Sequence, residues 1–135
     1  MITNTYFLLY VDSPALSAEF YSRLLDKPPV ESGPTFALFI LDSGIKLGLW
    51  SRHTVQPSAQ AAGGGGELGW AVDSREAVDE LHRHWQALGM TIAQPPTQMD
   101  FGYTLVALDP DGHRLRVLYL TCLLYTSPSP RDRQK

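Results

Sequence analysis

The sequence predicts an α+β fold built from two copies of one βαβββ module, and three observations carry that expectation. Short alternating apolar runs mark strands, and two stretches with helical apolar spacing mark helices. Motifs of the first half also return in the second: Val11-Asp12-Ser13 matches Val72-Asp73-Ser74, and Gly44-Ile45-Lys46-Leu47 matches Gly112-His113-Arg114-Leu115.

The first module opens with a β-rich run, Tyr6 to Val11. Asp12-Ser13-Pro14 follows, with Ser13 suited to cap a helix and Pro14 to its first turn. Leu16, Phe20 and Leu24 recur every four residues beside Tyr21, so the helix should reach Leu25 and bury that face on a sheet. After Pro28-Pro29 a weak strand is expected near Val30. Strands Thr35 to Leu41 and Ile45 to Trp50 come next, joined by the short turn Asp42-Ser43-Gly44. Ser51 to Gly66 is polar, and its Gly63 to Gly66 run loses too much backbone entropy on ordering to sit inside an element, so it reads as a linker.

The pattern then restarts. Glu67 to Val72 is a strand and Asp73-Ser74 a helix cap, after which Val78, Leu81, Trp85 and Leu88 share one helical face that Gly89 stops. Strands follow at Thr91 to Gln94, Tyr103 to Leu108 and His113 to Leu120, the last two joined by Asp109-Pro110-Asp111-Gly112.

At 135 residues and 44% hydrophobic content the chain suits one domain, expected over residues 1–121 with modules at about 5–50 and 67–120 and a linker at 51–66. A formal charge of -3 without a basic stripe gives nucleic acid no general attraction. Met1 to Tyr10 has neither the basic region nor the long apolar run of a signal peptide, and no stretch is apolar for the length of a membrane span. The expected setting is therefore cytoplasmic, with no membrane partner. The single cysteine, Cys122, excludes an intramolecular disulfide and a cysteine-based zinc cluster. From Cys122 to Lys135 the chain has no periodicity; it resembles the translation of a sequencing adapter read through in frame, which implies a non-native or disordered tail.

The segments Leu9-Tyr10-Val11-Asp12-Ser13-Pro14 with Phe20-Tyr21, and Asp100-Phe101-Gly102-Tyr103-Thr104 with Asp109-Pro110-Asp111-Gly112-His113, carry a more specific signal. They resemble the vicinal-oxygen-chelate superfamily of glyoxalases, extradiol dioxygenases and bleomycin-resistance proteins. Gly48-Leu49-Trp50-Ser51 and the Phe101-Gly102 pair bring the chain closest to its phenazine-antibiotic resistance branch. The resemblance implies that the two modules form a U-shaped mixed sheet around a central cleft. Many members of that superfamily are dimers, so the resemblance also implies a homodimer.

Enzymes of that superfamily hold a divalent metal at four equivalent strand positions, using His, Glu or Gln. Here those positions fall on Tyr6, Gly48, Glu67 and Arg116, of which only Glu67 is a metal-ligand type, while Arg116 would set a permanent positive charge where a cation should sit. No metal and no other cofactor is therefore expected. His82 and His84 face different directions on a helix, His53 lies in the linker and His113 follows a turn. Asp42, Asp109 and Asp111 read as turn formers. No nucleophile elbow or phosphate-binding glycine loop is present.

Strand parity then sorts the side chains. Tyr6, Leu8, Tyr10, Lys46, Gly48 and Trp50 should face the cleft with Glu67, Gly69, Ala71, Arg114, Arg116 and Leu118. Phe7, Leu9, Val11, Leu47, Leu49, Leu68, Trp70, Val72, Leu115 and Val117 should pack under the helices. Phe36 and Phe101 are further candidates whose direction parity leaves open. Aromatic walls, small residues and one carboxylate near one guanidinium suit a flat, partly polar molecule. The expected ligand set is Tyr6, Tyr10, Phe36, Gly48, Trp50, Glu67, Phe101 and Arg116, in a metal-free protein that sequesters a small planar aromatic or antibiotic-like molecule. Two other readings stand beside it. One is an enzyme with Glu67 as general base or partial metal ligand; in the other the aromatics fill a core or a dimer contact and Glu67 only pairs with Arg116.

Overall fold

The computed structural model describes residues 4–61 and 63–121. The expectation of an appended tail at 122–135 lies outside the described residues. The elements are β1 (Tyr6–Val11), α1 (Pro14–Leu25), β2 (Glu31–Ser32), β3 (Phe36–Ile40), β4 (Lys46–Ser51), β5 (Glu67–Ala71), α2 (Arg75–Ala87), β6 (Thr91–Met99), β7 (Gly102–Leu108) and β8 (Arg114–Leu120). They fall into two compact units. The first ends at Gly65 and also takes in Pro110–Gly112; the second runs from Gly66 to Asp109 and resumes at His113.

Each unit contains a four-stranded mixed sheet, ordered β1-β4-β3-β2 in the first and β5-β8-β7-β6 in the second. The duplication predicted from the motifs is thus repeated in the pairing. β1 runs parallel to β4 with Leu8 opposite Gly48, and β5 runs parallel to β8 with Gly69 opposite Arg116.

Both helices start where their capping serines dictate. Ser13 Oγ accepts from the Leu16 amide at 3.3 Å and Ser74 Oγ from the Ala77 amide at 3.0 Å, each satisfying a donor that the helix leaves unpaired. Helix α2 buries Val78 and Trp85, as its periodicity predicts. Helix α1 departs from expectation. It buries Pro14, Ser17, Ala18 and Tyr21, whereas Leu16 is 65% exposed. The small Ser17 and Ala18 allow the helix to approach its sheet closely, and the Tyr21 ring fills the space between, 6.5 Å from the Phe39 ring centre. Ser17 Oγ also donates to Asp111 Oδ2 at 3.3 Å, which fixes that helix face toward the Pro110–Gly112 turn of the same unit.

Strand β6 is longer than expected. The expected strand ends at Gln94, yet it continues through Pro95-Pro96 to Met99, with register shifts between Ile92 and Gln94 and between Gln94 and Thr97. It is an edge strand, where a residue lacking an amide proton breaks no ladder on its open side. The cores follow parity: Val11, Phe39, Leu47 and Leu49 are fully buried in the first unit, and Leu115 and Val117 are buried in the second. Phe7 is a correction, being 48% exposed although its parity assigns it to the helix side. It lies near the start of an edge strand, while the pairing toward Val11 is where burial becomes complete.

Candidate functional site

In the first unit, register brings Tyr10 opposite Trp50 across β1 and β4, and Trp50 opposite Phe36 across β4 and β3. The Phe36 and Trp50 rings meet edge to face, centres 6.3 Å apart at 87°, the arrangement that aligns a positive ring edge with a negative ring face. Phe36 also lies across Gly48. A Cβ built on Gly48 would stand 2.5 Å from Leu8 Cδ2 and 3.0 Å from Phe36 Cζ. This settles the direction of Phe36, which shares the face of Leu8, Gly48 and Trp50. Leu8 and Phe36 therefore fill the space over Gly48, one of the small residues in the expected ligand set. Tyr6 and Tyr10 are exposed further along β1, and Trp50 is half-buried. The product is a platform of aromatic and aliphatic groups on one face of the first sheet.

In the second unit Glu67 and Arg116 are joined bidentately, Nε donating to Oε1 at 2.8 Å and the terminal NH2 nitrogen donating to Oε2 at 2.9 Å. The other terminal nitrogen of Arg116 donates to Thr104 Oγ1 at 3.2 Å, and that hydroxyl, fully buried, donates to the Val117 carbonyl at 2.7 Å. Arg114 Nε lies 3.3 Å from Glu67 Oε2. The hydrogen bond from Arg116, with the charges of Arg116 and Arg114, holds the Glu67 carboxyl below its usual range, against a smaller opposing effect of desolvation. A general base needs the reverse shift, toward neutral pH.

The four positions at which relatives ligate a metal do not fit one here. Gly48 offers no donor, and Arg116 occupies both oxygens of Glu67. Among the described residues no three His, Cys, Asp or Glu side chains group so as to hold a metal ion. Phe101 precedes β7 at the end of that strand paired with Leu120, whereas Arg116 pairs with Val106 further along. The sheet therefore does not set Phe101 beside the Glu67–Arg116 pair.

Sequence reasoning missed one polar cluster. His53 Nε2 and Asp12 Oδ1 are 2.7 Å apart, Arg52 approaches the same carboxylate at 3.8 Å, and the Asp12 amide donates to Asp111 Oδ1 at 2.9 Å. The His53 hydrogen bond, opposed in part by desolvation and aided by the Arg52 and His53 charges, keeps the Asp12 carboxyl below its ordinary range. The signal was the parallel pairing itself, since Val11 opposite Ser51 makes the residues that follow each strand neighbours. Elsewhere Tyr103 donates to Asp79 Oδ1 at 2.7 Å beneath the Arg75 guanidinium, 3.9 Å from the ring centre. That arrangement fastens α2 to β7 and raises the phenol's pKa chiefly through the bond to Asp79.

Two βαβββ modules, each pairing its first strand parallel to its fourth, define the glyoxalase-like architecture. The sequence profile of the Glyoxalase/Bleomycin resistance protein/Dioxygenase superfamily matches residues 4–117, and the chain belongs to that family. Its sequence is 31% identical over 120 residues to the phenazine antibiotic resistance protein EhpR of Enterobacter agglomerans, covering 86% of this chain and 91% of that one. Among solved structures, the solution structure of protein ATC0852 from Agrobacterium tumefaciens matches with a TM-score of 0.82 and 52% identity, covering 90% of this chain and all of that one. A glyoxalase-related enzyme from Fulvimarina pelagi matches with a TM-score of 0.77 at 22% identity over 88% of each chain, a likeness of fold.

Proposed function

We propose that this protein binds and sequesters a small planar aromatic molecule on the aromatic face of its first sheet. The observation that carries the reading is the Phe36–Trp50 pair, held edge to face beside exposed Tyr10, with exposed Tyr6 further along the same strand, so that ring surface is presented to a ligand. Flat aromatic ligands gain both area burial and ring–ring attraction from such a surface. The similarity to a phenazine antibiotic resistance protein supports the same ligand class, since phenazine is a flat fused-ring aromatic. The bound state of Glu67 argues against base catalysis by that residue, and sequestration needs no catalyst.

Tryptophan emission tests the reading. Titration with phenazine should quench a signal that Trp50→Phe largely removes, while Trp70→Phe and Trp85→Phe retain it. Trp50→Ala should weaken binding by roughly two- to twelvefold, the equivalent of losing about 0.5–1.5 kcal/mol of ring contact. Absence of any binding below about millimolar concentration, or undiminished affinity in Trp50→Ala, would reject the proposal.

A further inference from the structure

The charged group on the second sheet contains two guanidiniums and one carboxylate. Glu67, Arg114 and Arg116 lie on one face, because Glu67 pairs with Arg114 across the parallel ladder and Arg116 is two residues further along β8. Both oxygens of Glu67 are already engaged by Arg116, so Glu67 neutralises one guanidinium and Arg114 shares only an edge of it, through Nε at 3.3 Å. That is the single ion pair of Arg114 among the described residues. Arginine carries five N–H donors in a planar fork. Those on the two terminal nitrogens of Arg114 make no hydrogen bond within the described residues, and its side chain is 43% exposed.

The surroundings favour a flat anion over water alone. Arg116 is only 18% exposed and is locked by Glu67 and Thr104, so it forms a fixed edge beside Arg114. On β5 the neighbouring positions of that face are Gly69 and Ala71, both exposed. A Cβ on Gly69 would touch nothing closer than the Arg116 carbonyl oxygen at 3.8 Å, so packing does not demand a glycine there and the floor beside the guanidiniums stays low. Two adjacent cations with one shared counter-ion leave one positive charge uncompensated, and a carboxylate matches the fork of guanidinium donors.

We infer that Arg114, braced by the Glu67–Arg116 pair, is the recognition residue of a carboxylate-binding site on the second sheet, suited to a carboxylate borne on a planar group. Arg116 is its positioning partner. The inference stands on the second sheet alone and does not require the aromatic face of the first to bind anything.

The test uses the full chain and follows arginine Nε–Hε and Gly69 amide resonances by NMR during titration with benzoate, with benzamide as its neutral counterpart. Benzoate should give saturable shifts at Arg114 Nε and Gly69, and benzamide none. Arg114→Gln should weaken benzoate at least about fivefold without lowering the melting temperature, and Arg114→Lys should recover part of the loss, since it restores charge without the fork. Glu67→Gln, which releases the brace, should broaden the Arg116 Nε signal. Equal response to benzoate and benzamide, shifts spread over all surface arginines, or unchanged affinity in Arg114→Gln would overturn the assignment. A benzoate response without any phenazine quenching leaves this site standing and removes the aromatic-face proposal; quenching without a benzoate response does the opposite.

Discussion

Substituting Gly48 by alanine tests the packing of the aromatic face directly. The new Cβ would lie 2.5 Å from Leu8 Cδ2 and 3.0 and 3.2 Å from Phe36 Cζ and Cε1, against about 3.5–4.0 Å for an unstrained carbon pair. Leu8 can rotate away, being the end of a flexible side chain. Phe36 has less freedom because its ring is set against Trp50. Overfilling of this kind costs about 1–3 kcal/mol, and the reduced chain entropy of the unfolded state returns about 0.4–1 kcal/mol. The net expectation is a loss of up to about 2.5 kcal/mol, or a melting temperature lower by up to about 10 °C for a domain of this size. Gly69→Ala is the matched control: its Cβ overlaps nothing, so its melting temperature should stay level or rise. Calorimetry on the two variants decides the matter. If Gly48→Ala melts at or above Gly69→Ala, Leu8 and Phe36 do not lie over Gly48 and the described platform is wrong. Shortening Leu8 in the Gly48→Ala background should recover part of the loss, because the closest overlap then disappears.

The α1 face supplies a second comparison: Tyr21→Ala should destabilise by about 3–5 kcal/mol as a large buried ring, and Leu16→Ala by well under 1 kcal/mol as an exposed one. Denaturant melts giving the two substitutions equal effects would restore the face centred on Leu16. The third concerns acid. Glu67 is held below its usual carboxylate range when folded, so its pairing contributes fully above about pH 4.5 and is lost as the pH falls through the lower, folded value. Glu67→Gln should therefore flatten the acid limb of the melting temperature below about pH 4.5. An acid limb identical to the parent's would show that the pairing with Arg116 adds nothing to folded stability.

How far the fold was legible depended on whether local chemistry decided each element. Ser13-Pro14 and Ser74 fixed both helix starts because a cap is a property of a few adjacent residues. The orientation of α1 was different. Its four-residue apolar spacing pointed to Leu16 and Phe20, but the buried side is set by what the sheet can accept, namely Tyr21 against Phe39 with small Ser17 and Ala18 allowing approach. The end of β6 was misjudged for a related reason: Pro95-Pro96 is a strand breaker inside a sheet and tolerable at its edge, and edge status is a property of the topology.

The same distinction explains the site. The family resemblance and the repeat placed Tyr6, Gly48, Glu67 and Arg116 at corresponding strand positions, and the two halves share that register, with Leu8 opposite Gly48 and Gly69 opposite Arg116. Parity says which face a residue shares, however, and not what fills the space above it. At Gly48 the missing side chain is replaced by Leu8 and Phe36, which makes the position apolar and solid. At Arg116 the long side chain folds onto Glu67 and Thr104, which makes it polar and also solid. The two halves thus fill these corresponding positions by opposite chemistry. What each leaves available is a residue two positions away on the same face: ring surface at Trp50 in the first sheet, and an underused guanidinium at Arg114 in the second. A charge count on the sequence could have raised Arg114, since two arginines against Glu67 leave one over, but only the bidentate geometry shows which of the two is spent.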